Sequence, residues 1–161
     1  MKNRSTIVTL FFVILCAALV STHHRVAYAQ EKDYYLTIAL VQGNGVPGAC
    51  VSGYHVASIV ELSDLSKLHY LTTYAGAYQM AAADDQGDGP PAFVGGWVRS
   101  NGNVAGLGNC DVWSTNSSSI SGTLGEVEGS YNSTTGQVQV YLSYQSLACN
   151  KTAHVWCIQN P

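Results

Sequence analysis

Basic residues are scarce in this chain: its 161 residues include seven Lys and Arg against ten Asp and Glu, a formal net charge of −3. The imbalance grows if residues 1–29 are removed, as argued below, because four basic residues then face all ten acidic ones, a net charge of −6. Proteins bind nucleic acids, heparin-like polymers and anionic membranes mainly through clustered Lys and Arg. The composition therefore disfavours all three as partners.

The sequence also lacks the motifs of common enzyme classes. It contains no Gly-x-Ser-x-Gly nucleophile elbow and no His-Glu-x-x-His zinc motif. His55, His69 and His154 are scattered, and each is more typical of a structural histidine than of a catalyst. A glycosidase needs two facing carboxylates, but no spacing in the sequence brings two glutamates together. We therefore expect no catalytic residues and no cofactor, with an exported hydrolase at an unrecognised site as the alternative.

No apolar run of membrane-spanning length occurs after the N-terminal segment. That segment has a positive head, an apolar run at residues 7–20 and Ala-Tyr-Ala at residues 27–29, the small-x-small pattern of a cleavage site. The run is shorter than the roughly 20 residues that a membrane helix needs. These features predict a signal peptide at residues 1–29 and one secreted domain at residues 30–161, which would be extracellular or, in a bacterium, periplasmic or on the cell surface.

Close pairs of cysteines, such as the Cys-x-x-Cys of many zinc sites, are missing as well. Four cysteines remain after the predicted cleavage, and an even number in an exported chain indicates disulfides. They are Cys50, Cys110, Cys149 and Cys157. We therefore expect two disulfides and no metal site, and the count alone leaves all three pairings open.

Two kinds of motif lie in polar, loop-like stretches. Residues 84–89, Asp-Asp-Gln-Gly-Asp-Gly, match the first half of a calcium-binding EF-hand loop, but Gly95 stands where that loop requires a glutamate. We therefore interpret the stretch as a solvated loop, with a weak, irregular calcium site as the alternative. Asn-x-Ser/Thr sequons at Asn116, Asn132 and Asn150 are compatible with surface exposure.

Apolar and β-branched residues predict several short strands and one helix. Strands are expected at residues 34–41, at 92–100 with a glycine kink, at 136–145 and at the chain end, 153–158. Helical spacing of apolar residues predicts a short helix at residues 55–62. The segment that starts at Cys110 is interpreted as a short extended piece leading into a Ser-rich loop. This pattern indicates an α+β domain with long loops.

The clearest strand is residues 136–145, where apolar and polar side chains alternate. One face, which we expect to be buried, carries Val138, Val140, Leu142 and Tyr144. The other, which we expect to face solvent, carries Gln137, Gln139, Tyr141, Ser143 and Gln145.

The candidates for ligand binding are two tryptophans and two charged residues. Aromatic faces stack on sugar rings and flat apolar ligands, and arginine pairs with carboxylates. The candidates are Trp97, Arg99, Asp111 and Trp113. Trp97 lies in a strand-like run and is more typical of a core residue, whereas Trp113 borders a polar loop. The loops expected to form the binding surface are residues 84–96, 101–109 and 114–123.

Three segments share an order of residues with a known family. They are CVSGYHVASIVEL, GWVRS with the later NCDVWSTNSSSISGT, and ACNKTAHVWCIQN near the chain end. Together they resemble the C-type-lectin-like superfold, closest to its endostatin-like branch, the C-terminal domain of collagens XV and XVIII, and to small exported bacterial domains of that type. The Cys-Ile-Gln-Asn at residues 157–160 matches the tail of that branch. The resemblance covers about residues 50–62 and 95–160.

The resemblance implies an α+β fold with short, twisted, mainly antiparallel sheets, one or two short helices and long loops. It also implies two nested disulfides, Cys50 with Cys157 and Cys110 with Cys149. An outer bridge of this kind would tie the chain end to the region before the predicted helix. The main competitor is the adjacent pairing, Cys50 with Cys110 and Cys149 with Cys157.

The sequence departs from the family where ligands are concerned. The Glu-Pro-Asn or Gln-Pro-Asp and Trp-Asn-Asp motifs that hold calcium and sugar in the lectins do not occur. The heparin-binding arginines and N-terminal zinc-binding histidines of endostatin have no counterpart either, since the mature chain has one arginine and begins QEKDYY. We therefore predict an exported, non-enzymatic domain that recognises a protein or a glycan through its loops, without a lectin-type calcium site. A purely structural surface or matrix protein is the third interpretation.

Overall fold

The computed structural model of the protein describes residues 31–72, 89–100 and 109–161. The predicted signal peptide lies outside these ranges, as do parts of the loops at residues 84–96 and 101–109. The signal-peptide boundary and the conformation of the acidic stretch therefore stay predictions.

The described residues are mostly sheet. The strands are β1 (Lys32–Leu36), β2 (Tyr54–Val56), β3 (Leu68–Tyr70), β4 (Gly95–Val98), β5 (Ser121–Asn132), β6 (Gln137–Ala148) and β7 (His154–Gln159). Two 3₁₀ turns, Gly43–Gly48 and Leu65–Lys67, and a four-residue helical turn, Cys110–Trp113, lie in the connections. This is a small α+β domain in the coarse sense, and its membership of the C-type-lectin-like superfold stays a prediction.

The last strand, β7, lies in the middle of the sheet, whose order is β3-β1-β7-β4-β5-β6. One side of β7 pairs with β1 in antiparallel fashion. The other side is shared: β2 pairs antiparallel where Val56 lies opposite Cys157, and β4 pairs parallel where Trp97 lies opposite Val155. The sheet then continues antiparallel through β5 and β6, which are matched over twelve residue pairs.

The core is built around β7. Residues Val155–Ile158 are all buried. The Trp156 ring stacks on Tyr34 at a centroid distance of 6.1 Å and meets Tyr70 edge-on at 6.5 Å. Its indole Nε1 donates a hydrogen bond to the Gly125 carbonyl at 2.8 Å, so the polar atom of the buried ring is satisfied. The final strand predicted from the sequence is confirmed, and neighbours on both sides hold the chain end in place.

The two disulfides are nested. Cys50 is bonded to Cys157, 107 residues away, and Cys110 is bonded to Cys149, 39 residues away. This is the pairing that the family resemblance implied, and the adjacent pairing is absent. The outer bridge attaches the segment before β2 to the central strand.

The helix predicted at residues 55–62 is wrong. The segment begins as β2, and the backbone of Ala57 then donates to the Trp156 carbonyl and accepts from the Arg99 amide. Val60, which the helical pattern placed beside Val56, is 68% exposed in a turn. Pairing with the central strand and with the end of β4 satisfies the backbone groups that a helix would otherwise pair internally, so tertiary contacts override the local spacing.

The strand predicted at residues 136–145 is present as β6, but its predicted burial is wrong in part. Val140 is 65% exposed and Tyr144 is 37% exposed, although both were expected on a buried face. Among the described residues β6 pairs only with β5, so fewer side chains from neighbouring strands cover its faces. Its partner β5 was not predicted, because glycine and serine mask the strand pattern there.

Candidate functional site

The turn Cys110–Trp113 has an unusual backbone. Its four residues have φ angles of 50°, 52°, 56° and 63°, in the left-handed region. This conformation costs an L-residue roughly 1–2 kcal/mol, and most of all a β-branched one such as Val112. The extended piece predicted for this segment is therefore wrong. Asp111 and Val112, with Val112 62% exposed, form the outer surface of the turn.

Hydrogen bonds close the turn from both ends. The Trp113 amide donates to the Asn109 carbonyl at 2.7 Å, and the Ser114 amide donates to the Cys110 carbonyl at 3.1 Å. The side chain of Asn109 is itself fixed, because its Oδ1 accepts from the Ser100 amide at 2.9 Å. The disulfide of Cys110 adds a covalent anchor. The surrounding structure thus over-determines a conformation that is locally unfavourable.

Two glycines let the chain pack closely beneath the turn. A Cβ on Gly43 would overlap the Cys110 sulfur and come within 2.9 Å of the Thr115 carbonyl oxygen. A Cβ on Gly122 would lie 2.7 Å from the Trp97 ring and 2.8 Å from the Cys110 sulfur. Both positions need glycine because of this close approach. The turn therefore rests on a tightly packed base.

The structure brings two of the four candidate residues together. The rings of Trp97 and Trp113 meet edge-to-face at a centroid distance of 6.2 Å. Trp97 is fully buried and donates its indole N–H to the Val41 carbonyl at 2.9 Å, so its interpretation as a core residue is confirmed. Trp113 is half-buried and links this core to the exposed face of the turn. Asp111 lies on that face, where its backbone carbonyl accepts a hydrogen bond from the Ser114 hydroxyl at 2.6 Å.

The fourth candidate, Arg99, is engaged elsewhere. Its Nε donates to the Val56 carbonyl at 2.9 Å, and its Nη2 lies 3.4 Å from a carboxylate oxygen of Glu61. The guanidinium thereby joins the end of β4 to β2 and the turn that follows. Arg99 holds the two segments together where they diverge from β7, and it is not placed beside the strained turn.

Glu61 is the centre of this second cluster. One carboxylate oxygen lies 2.9 Å from His55 Nε2, and the other accepts from the Ser58 amide at 2.9 Å and from the Ser58 hydroxyl at 2.7 Å. Burial acts to raise the pKa of Glu61, but the hydrogen bonds from Ser58 and His55 outweigh it and lower the pKa to about 2. The carboxyl group is therefore charged at neutral pH.

The cluster contains a serine, a histidine and an acid, but their hydrogen bonds do not run from serine to histidine to acid as in a catalytic triad. The Ser58 hydroxyl donates to Glu61, and the second ring nitrogen of His55 lies 2.8 Å from the Asn160 side-chain oxygen. A nucleophilic serine needs its hydroxyl directed at the base. This arrangement instead ties the C-terminal residues to β2 and the following turn.

An open cleft of about 350 Å³ lies between the two ends of the sheet. Tyr34 and Tyr70 line one side, and Val140 of β6 lines the other, because the sheet curls into a half-barrel. The tyrosines are 2% and 5% exposed, so their ring faces are covered. Burial raises the pKa of Tyr34 well above its ordinary value, with a further contribution from Tyr70.

No group of three or more His, Cys, Asp and Glu side chains in the described ranges could hold a metal ion. In those same ranges, no helix is long and apolar enough to cross a bilayer.

Comparison with known proteins returns no relative: no family model matches the sequence, and no curated protein or solved structure is significantly similar to it.

The feature that sequence reasoning missed at this site is the conformation of the turn and the exposure of Val112. Glycine and asparagine are the usual signals of left-handed backbone, and the turn Cys110–Trp113 contains neither. The only local hint is Asp111, a residue type that tolerates this region better than most.

Proposed function

We propose that the protein is an exported, non-enzymatic interaction domain that binds a protein or a glycan through the surface of the turn Cys110–Trp113. The observation that carries the proposal is the run of four consecutive left-handed residues, none of them glycine, in an exposed turn. Strain of this kind persists only where the fold enforces it, and it is concentrated at binding sites.

The chemistry of the turn suits recognition. Asp111 offers a charged acceptor, and Val112 beside it offers exposed apolar surface. A turn that is already held in one conformation loses little entropy when a partner binds it, which favours affinity. Trp97 and Arg99, the other two candidates, have partners within the chain and are left out of the proposed surface.

Export is part of the proposal. The N-terminal sequence has the pattern of a signal peptide, and the two disulfides are typical of a chain that folds in an oxidising compartment. The nested disulfide pairing also supports a place in the endostatin-like branch of the C-type-lectin-like superfold. Fold membership alone assigns no ligand.

The test is a binding screen with a matched pair of variants. Labelled protein is applied to a glycan array and to an array of extracellular protein domains, with and without a calcium chelator. We expect binding that survives the chelator and falls at least about tenfold in D111N and V112S, since both lose central contacts. V60S is the control, because Val60 is an equally exposed valine outside the turn.

Equal binding by V112S and V60S would contradict the assignment of the surface. If the wild-type protein bound neither array, the interpretation as a structural surface or matrix protein would replace the proposal.

A further inference from the structure

The two ends of the sheet differ sharply. At one end β3 is three residues long, with Lys67 before it and His69 within it. At the other end β6 is twelve residues long. Short edge strands and charged edge residues are devices that keep a sheet from pairing with another chain. The β3 edge has both features.

The β6 edge has none of these devices. Its sequence, QVQVYLSYQSLA, contains no charged residue, no proline and no glycine. Val140, Tyr141 and Tyr144 are 65%, 46% and 37% exposed. Within the described residues β6 has one neighbour, β5. Long, uncharged edge strands with exposed apolar side chains are templates for strand addition.

Side-chain contacts hold one face of β6 against β5. The Tyr141 hydroxyl donates to Glu128 at 3.0 Å, Ser143 donates to the same carboxylate, and the Gln145 amide donates to Glu126 at 3.3 Å. The carboxylates lie on β5, one strand inside the edge. Among the described residues of β5 and β6, the charged side chains are therefore set back from the rim of the sheet.

We propose that β6 pairs with β6 of a second copy of the chain, in antiparallel orientation, to form a two-fold symmetric dimer with a continuous sheet. A second copy fits better than a charged peptide because the strand is uncharged along its whole length. Two copies of the acidic secreted chain, with a net charge of −6, repel each other generally, and this strip is where that repulsion is weakest.

We place Leu142 directly opposite its own copy. A two-fold axis perpendicular to the sheet preserves its faces, so one residue of the strand must lie opposite the same residue of the second copy, with the axis midway between them. With the axis at Leu142, Val140 lies opposite Tyr144 of the second copy, and Tyr144 lies opposite its Val140. Apolar side chains opposite aromatic ones are among the favourable cross-strand pairs.

This register predicts opposite effects for two double variants that place charges at positions 140 and 144. In V140K/Y144K the axis at Leu142 places lysine opposite lysine twice, whereas in V140K/Y144E it places lysine opposite glutamate twice. Sedimentation equilibrium on the secreted chain is expected to show a dimer for wild type. The dissociation constant is expected to rise at least about tenfold in V140K/Y144K and to recover toward wild type in V140K/Y144E.

V60K is the control for adding a lysine at an exposed valine away from β6, and it is expected to leave the dissociation constant unchanged. A wild-type chain that stays monomeric at about 1 mM overturns the proposal. So does a dimer that V140K/Y144K and V140K/Y144E weaken equally. Slow amide exchange along β6 in a monomer also overturns it, since the strand is then covered by its own chain.

Discussion

Cys157, in the central strand of the sheet, is bonded to Cys50, which lies 107 residues earlier and just ahead of β2. In the same register, Val56 of β2 lies opposite Cys157. The covalent link and the strand pairing therefore act on the same stretch of β7. β7 also pairs with β1 on its other side. The Cys50–Cys157 bridge and the β2–β7 pairing therefore join the early part of the domain to its last strand.

Removing the Cys50–Cys157 bridge is expected to lower the free energy of unfolding more than removing the Cys110–Cys149 bridge. In the loop-entropy description, C50A/C157A lowers the free energy of unfolding by about 5 kcal/mol and C110A/C149A by about 4 kcal/mol, because the outer loop is longer. Guanidinium unfolding at pH 7 measures both. A larger loss for the inner pair would contradict the loop-length argument. Non-reducing peptide mapping that linked Cys50 to Cys110 would rule out the nested pairing.

Gly122→Ala is expected to destabilise the base of the strained turn. The new methyl group would meet the Trp97 ring at 2.7 Å and the Cys110 sulfur at 2.8 Å, and such overpacking costs about 1–3 kcal/mol. Gly129→Ala is the matched control on the same strand, because no atom lies within 4 Å of its Cβ position. Thermal and denaturant unfolding of both variants tests this, and equal stabilities would show that the site can relax.

Val112→Gly is expected to stabilise the protein and weaken binding. Glycine removes the steric cost of the left-handed φ of 56°, and since the valine is 62% exposed, little apolar burial is lost. The free energy of unfolding should rise by about 1 kcal/mol. Val60→Gly, at an exposed valine without a left-handed φ, should be destabilising instead. Loss of stability in V112G would argue against strain at the turn.

Glu61 is expected to make stability depend on pH in the acid range. Its pKa is about 2 in the folded protein against 4.5 ordinarily, so its contribution is complete above about pH 4.5 and is lost as the pH falls toward 2. Allowing for solvent screening of this partly exposed group, that contribution is about 1–2 kcal/mol.

E61Q is the variant that tests this contribution. The unfolding free energy of wild type should fall more steeply between pH 5 and 2 than that of E61Q, by about 1–2 kcal/mol over the range. E31Q removes one carboxylate at an exposed position and so controls for the change in net charge. Parallel curves for wild type and E61Q would contradict the assignment.

Some features of the fold were predictable because they depend on residue type or on a short stretch of sequence. Four cysteines that follow a predicted signal peptide indicate disulfides whatever the fold. The final strand, β7, reads as a continuous apolar run, and burial on both faces explains why that run does not alternate. The same reasoning favoured Trp97 as a core residue, and it is fully buried.

Other features could not be predicted, because distant partners decide them. Residues 55–62 have helical spacing, yet the central strand and the end of β4 supply their backbone hydrogen bonds. The alternation in β6 predicts two faces, but only the tertiary structure shows that β6 ends the strand order of the described residues and that Val140 is exposed. A period of two residues specifies a strand and says nothing of its neighbours.

The sequence by itself determined the net charge, the expectation of two disulfides, and the presence of the apolar strand β7 and the alternating strand β6. Only the tertiary structure decided that Cys110–Trp113 turns in the left-handed sense, that Arg99 belongs with Glu61 rather than with Trp113, and which strand lies at the edge. The physical reason is that a backbone can hold a locally unfavourable conformation, or a strand an unexpected place, when long-range contacts outweigh the local preference. Here those contacts are the Cys110–Cys149 bridge, the Asn109 hydrogen bonds and the pairing to β7.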